Sequence, residues 1–174
     1  NDVVTAGGRV LCVTALGETV LSYGNSSLRL RAAVFRSEQR LVHGELVYVF
    51  ADPATRSALR VPEALREVFA AWQGGSPMVQ VETGDWAALG SAARPIRDAV
   101  FIREQGIAAE LEHDAADAPA IHAIARNRLG VAVGTGRLLA QGSGVAKIGR
   151  MAVLAAVRGA GVGAALLEAL VGAA

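Results

Sequence analysis

The stretch from 148 to 170 carries the residues best suited to chemistry. Its sequence, IGRMAVLAAVRGAGVGAALLEAL, reads as an apolar strand, a glycine-rich turn and an amphipathic helix. Gly159 and Gly161 would keep Cβ atoms away from a bulky anion, while Gly163 would let the helix begin against a sheet. Arg158 adds a positive charge at the same place. The pattern favours a phosphate or pyrophosphate site, although a turn with no ligand can carry the same glycines.

Two other nucleotide-binding motifs fit less well. A Rossmann site places its glycines after the first strand of a βαβ unit and an acidic residue about 20 positions later. Here several predicted strands precede the glycines, and the sequence reaches Ala174 before such an acid. A Walker A loop is excluded because no Gly-Lys-Ser/Thr follows the glycines.

The turn resembles the acetyl-CoA signature R-x-x-G-x-G/A of the GNAT N-acetyltransferases, with Arg158, Gly161 and Gly163 at the matching positions. Upstream, IRDAVFIREQ at 96–105 resembles the R-x-x-V-F-x-x-E-Q helix of the ElaA-like branch of that family. The acidic loop, the stretch 117–122 and Gly136-Arg137-Leu138 also match in the right order. The resemblance covers about 78–174.

This resemblance implies transfer of an acetyl group from acetyl-CoA to a small-molecule or peptide amine. The amine attacks without a covalent enzyme intermediate, and the protein supplies positioning, oxyanion stabilisation and deprotonation. It also implies that 151–153 pair with the pantetheine arm and that 158–164 hold the pyrophosphate. The family's last helix and strands, often with a tyrosine general acid, would lie beyond Ala174. The cofactor-binding residues implied are Met151, Ala152, Val153, Arg158, Gly159, Ala160, Gly161, Val162, Gly163 and Ala164.

Asp117 and His122 are weak candidates for a catalytic role. An acidic loop such as 110–117 is usually solvated, and a histidine in a strand is more often structural. The alternative is that one of them binds the amine or relays a proton. A metal site built from His113, His122 and the neighbouring acids is less favoured, because their spacing matches no compact ligand motif.

The first part of the chain has different resemblances. The segments YGNSSLRL at 23–30, LVHGELVYVFAD at 41–52 and PEAL at 62–65 resemble the second half of a hot-dog acyl-CoA thioesterase of the 4-hydroxybenzoyl-CoA type. That family's catalytic Asp and central helix have no match. The alternative function is therefore a thioesterase fragment serving as a CoA-binding or dimerisation module, or a catalytically silent fragment. Residues 3–20 resemble the C-terminal domain of phosphoribosylamine–glycine ligase, which suggests a chimeric or truncated reading frame.

The patterning predicts an α+β or α/β chain, with a partial hot-dog sheet followed by a truncated GNAT fold whose sheet is mixed, mainly antiparallel and flanked by helices. We predict three segments, 1–20, 21–75 and 76–174, with the main boundary at Gly74-Gly75-Ser76-Pro77. Strands are predicted over 9–16, 26–35, 40–50, 78–81, 120–126, 131–140 and 145–154. Strand 26–35 starts with an alternation in which Leu28 and Leu30 face one way and Arg29 and Arg31 the other, and the polar break at 37–39 predicts a hairpin to 40–50. Helices are predicted from Pro62 to Trp72, over 91–105 with Ile96, Val100 and Phe101 inward, and over 161–171, the last packing through Leu166, Leu167 and Leu170.

Composition limits the choice of partners. The 174 residues include 17 Lys and Arg against 16 Asp and Glu, so no basic field attracts nucleic acid or an anionic membrane. The single cysteine, Cys12, excludes an internal disulfide framework and favours a cytoplasmic protein. Both resemblances cover incomplete domains, so we expect uncovered sheet edges and self-association into a homo-oligomer.

Overall fold

A computed structural model of the chain describes residues 3–6, 9–12, 15–112, 114–142 and 144–174, with side chains from residue 22 onward. The chain divides into two compact units, 1–76 and 77–174. Within the described ranges, no helix has the length and apolar character needed to cross a membrane.

The first unit is built from two antiparallel sheets and one helix. One sheet pairs β1 (Val3–Ala6) with β2 (Arg9–Cys12). The other contains β3 (Ala15–Tyr23), β4 (Ser27–Arg36) and β5 (Gln39–Val49), and the helix α1 (Glu63–Gln73) follows it in the chain. The predicted single strand over 9–16 is wrong, because its two described parts belong to different sheets; positions 13 and 14 lie outside the described residues. The predicted hairpin at 37–39 is confirmed by the β4–β5 pairing.

The alternation predicted for β4 is confirmed. Leu28 and Leu30 are buried while Arg29 and Arg31 are exposed, and α1 covers the two leucines with partly buried aromatic side chains. Strand β5 differs, because almost all of its side chains remain exposed on both faces.

The second unit is a four-stranded antiparallel sheet between helices. The strands β6 (Val79–Gly84), β7 (Ile121–Asn127), β8 (Ala132–Gly142) and β9 (Val145–Val153) pair in that order, which confirms the predicted consecutive strands. The helices are α2 (Trp86–Arg97), α3 (Ala109–Glu112) and α4 (Val162–Gly172), and short 3-10 turns lie at Ala115–Asp117 and Ala155–Val157. The mixed α+β architecture with antiparallel sheets is thus confirmed.

Helix α2 begins five residues before the predicted start because Asp85 caps it. The Asp85 carboxylate accepts a hydrogen bond from the Ala88 N–H at 2.8 Å. Pro95 lies inside the helix and has no N–H to donate, and the chain then widens into a π-helical segment, Asp98–Glu104. The predicted inward residues Ile96 and Val100 are buried at 2% and 4% exposure.

Strand β7 is covered on both faces. Ala123 and Ala125 belong to the core formed with α4, whereas Ile124 packs with α2. All three side chains are fully buried, so β7 is the centre of this unit's core.

Helix α4 packs on the sheet through Leu166 and Leu170, both fully buried. The predicted contribution of Leu167 is wrong: its side chain is 46% exposed, because it lies about 100° around the helix from its neighbour. Close packing is made possible by glycines on β8. A Cβ added to Gly134 would lie 2.9 Å from Leu166 Cδ1, and one added to Gly136 would lie 2.7 Å from Leu170 Cδ1.

The role predicted for Gly163 in this packing is wrong. A Cβ at Gly163 would meet no atom of the described chain within 4 Å. The glycines that admit the helix to the sheet are therefore those of β8.

We expect Leu166→Ala to lower the free energy of unfolding by about 2–5 kcal/mol, because it removes a buried side chain and leaves a cavity. The matched variant Leu167→Ala should change it by less than about 1 kcal/mol, since that side chain is half-exposed. Urea titration of both variants measures the difference. Equal losses would contradict this packing.

Candidate functional site

The glycine-rich turn joins the end of β9 to α4. Gly159 and Gly161 have φ angles of 82° and 77°, a left-handed conformation that other residues adopt at a cost. Gly161 is the N-cap of α4 and has no side chain with which to cap it. Both glycines are therefore required by backbone conformation alone.

The N–H groups along this turn point to a site for an anion. Within the described chain, no carbonyl oxygen accepts a hydrogen bond from the N–H groups of 159–164; the first intrahelical bond is from Ala165 N–H to Gly161 O, at 3.1 Å. The first turn of α4 also contains no acidic residue. The start of α4 thus presents unsatisfied donors at the positive end of the helix dipole.

Arg158 lies at the start of the turn, but its side chain is already bound. Its two terminal nitrogens each donate to a different carboxylate oxygen of Glu104 at 2.7 Å, and its Nε donates to the Val153 carbonyl at 2.9 Å. The hydrogen bond from Arg158 lowers the pKa of Glu104 below its ordinary value. Arg158 therefore ties the turn to the π-helical segment and to the end of β9.

Residues 151–153, predicted to pair with pantetheine, lie on β9. This strand is hydrogen-bonded to β8 on one side and has no neighbouring strand on the other within the described sheet. Ala152 is buried, while Met151 and Val153 are half-buried. The 3-10 turn Ala155–Val157 joins β9 to the glycine-rich turn, and the Arg158 Nε hydrogen bond to the Val153 carbonyl links the two groups of predicted cofactor-binding residues.

A largely buried ion-pair network joins α2, the 109–117 segment, β8 and β9. Arg97 donates to Glu112 Oε1, to the Glu112 carbonyl at 2.6 Å, and to Asp117 Oδ1 at 2.9 Å. Arg137 donates to the same Asp117 oxygen at 2.7 Å and to Asp114 Oδ1 at 2.8 Å. Together with Arg150, these residues bring three arginines and three carboxylates onto one side of the sheet. We call this set, Arg97, Glu112, Asp114, Asp117, Arg137 and Arg150, the ion-pair network.

The structure places both catalytic candidates in contact with this network. Burial by itself raises the pKa of the Asp117 carboxyl, but hydrogen bonds from Arg97 and Arg137 outweigh that effect and hold its pKa below the ordinary value. His122 is 1% exposed, contacts the Asp117 carbonyl through Nε2 at 2.9 Å and stacks against Trp86 at 4.7 Å. Both groups are thus held by protein partners.

The acidic loop predicted to be solvated is largely an anchored segment. Glu112 and Asp117 are 1% and 4% exposed, respectively. The sequence contained a signal for this arrangement: Arg97 falls on the same helical face as the apolar residues Ala93, Ile96 and Val100. A charge on an apolar face requires a nearby counter-charge.

A group of three metal-ligating side chains does not occur among the described residues. His113, one of the predicted ligands, lies outside them.

One family profile matches the part of the chain that contains the glycine-rich turn, the edge of β9 and the ion-pair network. The profile of the acetyltransferase (GNAT) family matches residues 86–174, slightly more than half of the chain. The chain belongs to the GNAT acetyltransferase family. The GNAT match includes every residue predicted to contact the cofactor.

One similar solved structure is that of a "putative N-acetyltransferase" from Lactobacillus plantarum. It shares 33% sequence identity with the chain and has a TM-score of 0.49. The alignment covers 52% of this chain and 63% of the Lactobacillus plantarum chain, so the GNAT unit spans less than two thirds of that protein. No curated protein matches the sequence.

We expect Asp117→Asn to lower the free energy of unfolding by about 3–5 kcal/mol, because it leaves Arg97 and Arg137 buried with one counter-charge fewer. Folding lowers the pKa of Asp117, so the ionised carboxylate stabilises the folded state at pH values above its ordinary pKa of 3.8. This stabilisation is lost as the pH falls further. Chemical denaturation from about pH 5 to pH 2 should therefore show a steeper loss for wild type than for the variant.

The control is Glu82→Gln, which removes an exposed ion pair with Arg126. It should cost about 1 kcal/mol or less. An Asp117→Asn protein as stable as this control would show that the network contributes little.

Proposed function

We propose that the GNAT unit binds acetyl-CoA and transfers its acetyl group to a small-molecule or peptide amine. The observation that carries this proposal is the row of unbonded N–H groups over 159–164 at the uncapped start of α4. An anion with several oxygens, such as a pyrophosphate, satisfies such a row better than water does, because each donor gains a charged acceptor.

Gly163 supports this proposal independently. Neither its backbone conformation nor packing requires glycine, and glycine costs about 1 kcal/mol relative to alanine inside a helix. The remaining reason for a glycine is access from outside, where a ligand would approach the backbone. Residues 158–164 would then hold the pyrophosphate, and 151–153 would pair with pantetheine along the open edge of β9.

The reaction itself needs no cofactor other than the acyl donor. A neutral amine nitrogen attacks the thioester carbon, the new C–N bond forms, the C–S bond breaks, and the CoA thiolate takes up a proton as the amine loses one. Asp117 and His122 are only weak candidates for assisting the amine, and the network already binds Asp117 and holds it ionised. We infer that their stronger role is to anchor the 109–117 segment.

An acyl-CoA thioesterase or CoA-binding module at 21–75, with resemblance to hot-dog proteins, is the second hypothesis. In the structure, the Asn25 carbonyl of this segment accepts hydrogen bonds from Val61 N–H and from Arg66, which tie the start of β4 to α1. The binding experiment below separates the two hypotheses, because a site at 21–75 does not depend on residue 163.

We expect acetyl-CoA and CoA to bind Gly163→Ala more weakly than the wild-type chain, because its Cβ stands where the ligand approaches the backbone, and to bind Gly163→Glu at least about tenfold more weakly than the wild type. The added carboxylate repels the pyrophosphate and competes for its N–H donors, yet it favours helix formation at this end of α4, so the fold is retained. Isothermal titration calorimetry measures the three affinities. Gly161→Val is a poorer test, because the φ angle of 77° at Gly161 strains a β-branched residue.

Absence of binding to wild type would refute the acetyltransferase proposal. Binding that is unchanged in Gly163→Glu would instead favour a site at 21–75. A panel of spermidine, glucosamine, lysine and a tripeptide with a free N-terminus then identifies the amine class by release of free CoA thiol.

We expect Arg158→Ala to weaken CoA binding by about 1–3 kcal/mol, the size of one charge-assisted contact. Glu104→Gln distinguishes direct from indirect action. If Arg158 acts by holding the turn, this variant weakens binding as well, which is the outcome we expect from the two 2.7 Å hydrogen bonds between them. If Arg158 contacts the phosphate directly, release from Glu104 should leave affinity unchanged or increase it.

A further inference from the structure

Arg150 combines an unusual backbone conformation with a side chain that is hydrogen-bonded through Nη2 and ion-paired through Nε. Two residues of β9, Arg150 and Met151, lie opposite the single residue Gly136, so that the strand bulges at this point. Arg150 has a φ angle of 52°, in the left-handed region that a residue with a side chain adopts at a cost. Such a conformation persists where the surroundings determine it, and it is concentrated at functional sites.

The contacts of Arg150 all lie on one short segment, 109–117. Its Nη2 donates to the Leu111 carbonyl at 2.9 Å and to Asp114 Oδ2 at 3.0 Å, and its Nε lies 3.3 Å from Glu112 Oε2. Its described residues, 109–112 and 114–117, form one helical turn and one 3-10 turn and pair with no strand; residue 113 lies outside the described part of the chain. Leu111 on it is 70% exposed, so apolar burial of that residue does not fix the segment. Charged contacts therefore determine where the segment lies.

Arg150 also marks one end of the surface proposed for acetyl-CoA. On that proposal, the pyrophosphate lies at 158–164 and pantetheine runs back along β9 from Val153 to Met151. The thioester then lies near the bulge, and the amine must arrive beside it. The hydrogen bonds of Arg150 to Leu111 and Asp114 hold the 109–117 segment next to this bulge.

We propose that Arg150 is a positioning residue for the acceptor amine. Its side chain holds 109–117 against the bulge of β9, and this segment forms the wall along which the amine approaches the thioester. The proposal rests on the acetyltransferase function proposed above. It assigns no chemical step to Arg150 itself, whose guanidinium remains protonated throughout.

The test uses Arg150→Gly, which retains a left-handed backbone without strain but removes the side chain. With the most active amine of the panel, its KM for that amine should rise at least about tenfold, while the dissociation constant of acetyl-CoA changes by less than about twofold. Arg150→Lys should recover part of the loss, because one ammonium replaces one of the three contacts. The control Arg126→Ala removes an arginine whose side-chain partners among the described residues are Glu82 and the Gly130 carbonyl, and should leave both constants unchanged.

Hydrogen–deuterium exchange provides a second readout, independent of turnover. Amides in 109–117 should exchange faster in Arg150→Gly than in wild type, while those of the central strand β7 keep their protection. Unchanged exchange in 109–117, or equal increases in the amine KM and the acetyl-CoA dissociation constant, would overturn the proposal. If wild type fails to bind acetyl-CoA, the acetyltransferase function is refuted, and the exchange result alone decides whether Arg150 positions the segment.

Discussion

Arg97 brings a positive charge into the interior of the GNAT unit, where its side chain is 1% exposed. A charge in that environment is tolerated only with counter-charges and hydrogen bonds, and Glu112 and Asp117 provide both. Because both acids bind Arg97, this requirement fixes the positions of α3 and of the 3-10 turn at Ala115–Asp117.

The same requirement extends to the sheet. Asp117 is shared between Arg97 and Arg137 of β8, while Asp114 joins Arg137 to Arg150 of β9. The network therefore connects a helix, an irregular segment and two strands with an equal number of charges of each sign. An apolar core could also pack these elements, but apolar contacts are non-directional and would fix the segment less closely. Directional bonds of this kind suit the surface on which we propose that acetyl-CoA and an amine meet.

The sequence predicted regular structure well where one local signal dominated. Alternation identified β4, and the run 120–154 was correctly predicted to form three strands. Long-range contacts escaped prediction: the acids of 110–117 looked solvated because their partners, Arg137 and Arg150, are distant in sequence. The packing of α4 was also mispredicted because it depends on residues that are distant in sequence. The spacing near α4 suggested that Gly163 makes room for the helix, but Gly134 and Gly136 on the sheet do so. The glycine turn itself was visible in sequence because its chemistry is local.

The π-helical segment Asp98–Glu104 carries a constraint on chain length. Arg97 and Glu104 are seven positions apart, and in a regular α-helix such residues share one face. Here Arg97 faces the buried network, whereas Glu104 reaches the exposed Arg158, and the widened turn between them separates the two directions. Loss of one residue from this segment would allow regular α-helical bonding but rotate all that follows by about 100°. Evolutionary insertions and deletions, which helices at a protein surface often absorb, should therefore be selected against between these two positions.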